Sequence, residues 1–174
     1  MKLHIGGEEK KEGWKILNIQ KKEGVDYLGD ISDLSQFDES SIDEIYASHI
    51  VEHVDQNKIK ATLKGIHRIL KDNGKFYISV PDMDVLCRIF MAKEAPKKAK
   101  FHAMTMMFGG QTDKYDYHYF GWNYEFLKDY LTEAGFKDLE RVKSFGLFDD
   151  TSDFAPYDNG NGKVPISLNV IAYK

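Results

Sequence analysis

Residues 42–81, IDEIYASHIVEHVDQNKIKATLKGIHRILKDNGKFYISVP, change hydrophobic rhythm twice. Ile42, Ile45 and Ala47 make 42–47 read as a buried strand. A helix begins near Gln56 and carries Ile59, Leu63, Ile66, Ile69 and Leu70 at the spacing of one helical face. It is expected to stop at Lys71-Asp72-Asn73-Gly74, a lysine in the last turn followed by a glycine suited to a left-handed cap. Phe76–Val80 is rich in β-branched and aromatic residues and ends at Pro81, so it reads as a second strand. No hairpin signal lies between the strands. Strand, helix and strand therefore predict a parallel pair joined by a right-handed crossover. Ligands of such sheets bind outside the carboxyl ends of the strands, here Ser48-His49 and Pro81-Asp82.

The 174 residues predict one domain with a sizeable core. A net charge of −4 gives no general pull toward nucleic acid or an anionic membrane. No apolar run approaches the roughly 20 residues that span a bilayer. Met1–Ile5 gives way at once to Gly-Gly and charges, which is not a signal-peptide pattern. The lone cysteine, Cys87, excludes an intramolecular disulfide framework and fits a reducing compartment. The expectation is a soluble, cytoplasmic protein, with its oligomeric state left open.

In chain order, Lys2–Ile5 and Lys15–Ile19 read as strands separated by Gly6-Gly7, a charged run and Gly13-Trp14. Glycine after a first strand lets backbone approach a ligand, although a full G-x-G-x-x-G pattern is absent. Gly6–Trp14 is short for a parallel crossover, so a tight loop or a single helical turn is expected there. Val25–Leu28 is a third short run, followed by Asp30. Its carboxylate can accept from an amine or a ribose hydroxyl, or cap the next turn, as Ser32 or Asp33 can. His49-Ile50-Val51-Glu52-His53 has the H-x-x-E-H order of a zinc hydrolase. On a helix, His49 and His53 would share a face as zinc ligands and Glu52 would act as general base. Against that, the motif follows a buried strand directly and no later acidic pair offers a third ligand. Glu52 and His53 then read as helix-start residues bonded to local backbone, and no metal is expected.

After Pro81, Asp82-Met83-Asp84-Val85 starts a helix that Asp82 or Asp84 caps. His102–Phe108, with Met104, Met106 and Met107, reads as a lid over a substrate or as extra core. Tyr115-Asp116-Tyr117-His118-Tyr119-Phe120-Gly121-Trp122 is the densest aromatic stretch. Rings around one imidazole suit a sugar or small polyol, with His118 as first candidate general base and His49 as second. The alternative for His118 is a hydrogen-bonded surface or core histidine. Asn123–Gly135 is a capped amphipathic helix and Phe136–Val142 a strand. Residues 144–162 form a long loop with a turn at Asp158-Asn159-Gly160. Pro165–Tyr173 alternates as a terminal strand, and Asn159–Gly162 fits an antiparallel hairpin tip.

The segments LHIGG, GWKILNIQ, GDISDLSQFDESSIDEIYASHIVEHV and LKGIHRILKDNGKFYISVPD, then MFGGQTDKYDYHYFGW and FLKDYLTEAGFKDLERV, resemble class I S-adenosylmethionine-dependent methyltransferases over nearly the whole chain. In particular they resemble a short bacterial branch whose first motif is followed by Gly-Trp. The resemblance implies an α/β, Rossmann-like fold: a mainly parallel seven-stranded sheet with helices on both faces and an antiparallel last strand. It implies S-adenosylmethionine as cofactor and an acceptor pocket built by an insertion at about 82–122, where the aromatic run and its imidazole favour a small-molecule or saccharide acceptor methylated at oxygen. It matches Gly6 and Gly7 to the glycines beside the cofactor's methionine part, Asn18 to the ribose-binding position, and Asp30 to the residue that holds the adenine amine. Ile31 would pack on the ring, and Ser48 and His49 would lie beneath the sulfonium. Two departures predict weaker cofactor binding: Glu8 adds bulk and charge where a glycine is usual, and Asn18 offers a neutral amide in place of a carboxylate. The alternative is a relative that keeps the fold without turnover.

Overall fold

The computed structural model describes residues 1–148, 152, 154–155, 157–158 and 162–174. Seven strands form one sheet: β1 (Lys2–Ile5), β2 (Trp14–Asn18), β3 (Tyr27–Leu28), β4 (Ile42–Ser48), β5 (Leu70–Pro81), β6 (Asp138–Val142) and β9 (Ser167–Tyr173). Their order is β3-β2-β1-β4-β5-β9-β6. β1 to β5 run parallel, and β9 is antiparallel to both β5 and β6. This is the Rossmann-like sheet with an antiparallel last strand that the sequence predicts. The order reverses between β1 and β4, which makes their carboxyl ends the switch point where such sheets take ligands.

The crossover from β4 to β5 is α1 (Ile59–Ile69), whose Ile59, Leu63, Ile66 and Ile69 are fully buried against the sheet. Each such side chain stabilises by about 1.5–3 kcal/mol over an exposed one. That outweighs the few tenths that each β-branched residue costs in a helix. α1 is shorter than predicted at both ends. Leu70 already pairs with Ile42 across a bulge and is the first residue of β5. The left-handed residue beyond it is Asn73, at φ 62°, and not the expected cap Gly74. Gly74 has a packing reason instead, because a Cβ there would lie 2.7 Å from the Lys71 carbonyl oxygen.

β1 and β2 are joined by residues 6–13 without any helix, and Gly6 N–H donates to the Leu17 carbonyl at 2.8 Å. One sheet face carries the main core with α1 and α4 (Tyr124–Ala134). On the other face Trp14, Tyr46, Tyr77 and Phe148 cluster, with Phe145 and Leu147 against them, so rings from a loop cover that part of the sheet. α2 (Met83–Met91) is capped by Asp82, whose Oδ1 accepts from Asp84 N–H at 3.1 Å. It packs with α3 (Lys97–Phe108) in a separate cluster that includes Met106 and Met107. The methionine segment is thus helical, with Met106 and Met107 packed against this cluster and Met104 exposed. Asn123 caps α4 and Gly135 closes it at φ 111°. β7 (Tyr157–Asp158) pairs with β8 (Lys163–Val164), and the expected turn at Asn159–Gly160 lies outside the described residues. Among the described residues no helix is long and apolar enough to cross a membrane.

Candidate functional site

Four strand exits meet in one groove of about 330 Å³. β1 contributes Ile5 and Gly6, β2 contributes Asn18 and Gln20, β3 is followed by Gly29, Asp30 and Ile31, and beyond β4 come Ile50, His53 and Val54. Lys114, Tyr115 and Tyr119 close it from the segment between α3 and α4. The volume is at the lower end of the roughly 300–1,000 Å³ usual for small-molecule sites. Gly6 sits at φ 75° under Ile50. Ser32 N–H donates to Asp30 Oδ1 at 2.8 Å, and Oδ2 has no partner among the described residues.

Behind the groove lies a nest of His49, Glu52, His53 and His118. β4 ends at Ser48, yet His49 N–H still donates to the Ser79 carbonyl at 2.9 Å, continuing the ladder. His49 then turns the chain at φ 53°, and Val51–His53 form a single 3₁₀ turn. H-x-x-E-H is therefore not helical here, and His49 and His53 do not share a helix face as zinc-hydrolase ligands would. The His49 Nδ1 lies 3.5 Å from Glu52 Oε1, and its Nε2 is 2.9 Å from Ser167 Oγ. His118 packs edge-on to His53 with ring centroids 4.6 Å apart. The strap that brings it there is tied by Tyr119 N–H to the Glu52 carbonyl at 2.8 Å and by His118 N–H to the Phe108 carbonyl at 3.2 Å.

Burial dominates the electrostatics of the nest. It pushes His49 down to about 3, helped by the neighbouring His118 and His53 rings. Burial and His53 push His118 down to about 4, and burial lowers His53 as well. Burial pushes the Glu52 carboxyl up to about 8. Burial thus favours the uncharged form of all four groups.

A family model described as a methyltransferase domain matches residues 9–78. Among solved structures, a SAM-dependent methyltransferase from Archaeoglobus fulgidus is 18% identical, with 99% of this chain and 85% of that one aligned at a TM-score of 0.61. This is a class I methyltransferase fold. A SAM-dependent methyltransferase from Thermotoga maritima is 16% identical, over 99% of this chain and 81% of that one, at a TM-score of 0.59. The 1,6-didemethyltoxoflavin-N1-methyltransferase of Burkholderia thailandensis, solved with that substrate and S-adenosylhomocysteine, is 15% identical over 99% of this chain and 70% of that one, also at 0.59. At these identities the likeness is one of fold. No curated protein matches the sequence.

In this methyltransferase fold Gly6, Asn18, Asp30 and Ile31 line the groove, whereas Gly7, Ser48, His49 and His118 do not. Gly7 is buried against His4, where a Cβ would meet Nδ1 at 2.4 Å, so its smallness has a packing reason. The Asn18 side chain is engaged locally: Nδ2 donates to the Gly7 carbonyl at 3.2 Å and Oδ1 accepts from Gln20 N–H at 2.9 Å. Glu8 stands outside the groove and pairs with Lys22 on the surface. Phe120 and Trp122 turn into the core against Tyr130, while Tyr115, Tyr117 and Tyr119 remain exposed. Ile50, Gln20 and Lys22 line the groove without any sequence signal, whereas Tyr115 and Tyr119 belong to the aromatic run and Glu52, behind the groove, to the H-x-x-E-H order.

Proposed function

We propose that the chain is an S-adenosylmethionine-dependent methyltransferase acting at oxygen on a small-molecule or saccharide acceptor. The observation that carries this reading is the convergence of four strand exits on one groove at the switch point. Asp30 Oδ2, unpartnered among the described residues, is suited to accept from an adenine amine, and buried Ile31 offers an apolar wall beside it. Gly6 would let the backbone pass close to the methionine part. S-adenosylmethionine would supply a methyl group on a sulfonium, open to in-line attack. The chain's own part is to hold donor and acceptor in line, which is the larger share of catalysis in such transfers. The exposed rings of Tyr115 and Tyr119 on the rim suit stacking on a sugar face. His118, the first candidate general base, stands behind His53 and would reach the acceptor only through it, and His49, the second candidate, likewise lies outside the groove lining.

Isothermal titration calorimetry with S-adenosylmethionine and S-adenosylhomocysteine tests the reading. Micromolar affinity supports it. Millimolar affinity or none supports the second reading, a relative without turnover, which the local engagement of Asn18 favours.

A further inference from the structure

We propose that Glu52, His53 and His118 form a site for a divalent first-row transition-metal ion beside the groove. The proposal departs from the expectation that no metal is bound, and its ligand set differs from the His49-Glu52-His53 order read from the sequence. One ligand atom from each of Glu52, His53 and His118 lies within 4.8 Å of the others. Bonds of about 2.0–2.2 Å place any two ligands of one ion no more than roughly 4.4 Å apart, so small side-chain rotations close the set.

Two further features point to a cation. Glu52 is wholly buried, and neither of its carboxyl oxygens has a hydrogen-bond partner among the described residues. A buried carboxyl without a donor is unfavourable unless it is paired or bound to metal. Each imidazole is also oriented by backbone. His53 Nδ1 lies 3.2 Å from the Tyr117 carbonyl oxygen and His118 Nδ1 lies 2.9 Å from that of Met106. A carbonyl only accepts, so the neutral His118 ring carries its proton on Nδ1 and its lone pair on Nε2; the His53 ring also faces the Tyr115 and His49 carbonyls, and an ion would have to compete with them for one of its nitrogens. Metal-ligating histidines are held in this way by their outer-shell partners. Two imidazoles and a carboxylate suit zinc, manganese, iron, cobalt or nickel better than calcium or magnesium. His49 Nδ1, 3.5 Å from Glu52 Oε1, is placed to orient the carboxylate once it is ionised.

Because His53 also lines the groove, an ion held here stands at its edge and can offer open coordination positions to an acceptor oxygen. That role rests on the methyltransferase reading; ion binding itself does not.

The test is calorimetry of chelator-stripped, full-length protein with zinc and with cobalt chloride, supplemented by the cobalt absorption spectrum. One ion per chain at micromolar affinity or tighter is expected, with visible cobalt bands. Glu52→Gln and His118→Ala are each expected to weaken binding by about 100-fold or more, beyond the roughly 10–100-fold typical of losing an outer-shell partner. Thermal melts and far-ultraviolet circular dichroism of both variants establish that they fold. If His118→Ala does not fold, Glu52→Gln and the wild-type cobalt spectrum decide alone. Absence of binding, or equal affinity in a folded variant, overturns the site. S-adenosylhomocysteine affinity is measured separately, so failure of the metal site and failure of the cofactor reading give different results.

Discussion

Gly6 crosses beneath Ile50 so closely that a Cβ on Gly6 would lie 2.1 Å from Ile50 Cδ1. The contact joins the ends of β1 and β4 at the point where the strand order reverses. A side chain on Gly6 would have to push the tip of Ile50 aside, and the φ of 75° disfavours one independently. Gly6→Ala is expected to destabilise the protein by about 1–3 kcal/mol, from overpacking with a further backbone penalty. Urea denaturation measures it. A midpoint equal to wild type means that the two strand ends are not packed this closely.

The period change in residues 42–81 exposed the central crossover because α1 buries one continuous stripe, and burial is what such periodicity records. The helix ends earlier than its stripe suggests for a physical reason. Leu70 fits the helical stripe, but pairing with Ile42 wins it for β5, and sequence spacing does not register a partner on another strand. The groove was legible where it depends on strand ends, through Gly6, Asp30 and Ile31. On the strap the aromatic run marks a wall, but which of its rings reach the groove depends on contacts distant in sequence, such as Tyr119 N–H to the Glu52 carbonyl. The aromatic run at 115–122 was read as one wall. Its rings divide between core and surface because the strap is extended and its alternate side chains face opposite ways.

Tyr77 lies on the sheet face covered by the ring cluster, and burial followed by the nearby Glu44 pushes its hydroxyl up to about 12 from 10.0. The folded state therefore keeps this proton at pH values where the unfolded chain has lost it. Between about pH 10 and 12 the native state binds more protons, so stability falls as pH rises. Tyr77→Phe is expected to remove that part of the slope. Denaturation midpoints of both proteins from pH 9 upward check it, and parallel curves would assign the loss to other groups.

Asn18 stands where the family resemblance implies a ribose contact, yet both ends of its amide are engaged, with Gly7 and Gln20. Asn18→Asp restores the charge usual at that position but removes the donor to the Gly7 carbonyl. The expected result is a loss of about 1–3 kcal/mol of stability, from a buried carbonyl facing an acceptor, with no gain in affinity for S-adenosylhomocysteine. Tighter binding in this variant would show that the carboxylate reaches the ribose and that the local bonds are dispensable.

Asp30 separates capping from cofactor binding. Its Oδ1 accepts from Ser32 N–H, and either a carboxylate or an amide oxygen can do that. A bond from an adenine amine to Oδ2 needs an acceptor there, and in Asp30→Asn the amide keeps its oxygen toward Ser32 and turns its NH₂ to the groove. The variant should melt close to wild type. Its affinity for S-adenosylhomocysteine should fall by roughly tenfold or more, the effect of losing a hydrogen bond of about 1.5–3 kcal/mol to a charged group. A drop in melting temperature with unchanged affinity would make Asp30 a turn residue only, and the adenine would have to be held elsewhere in the groove.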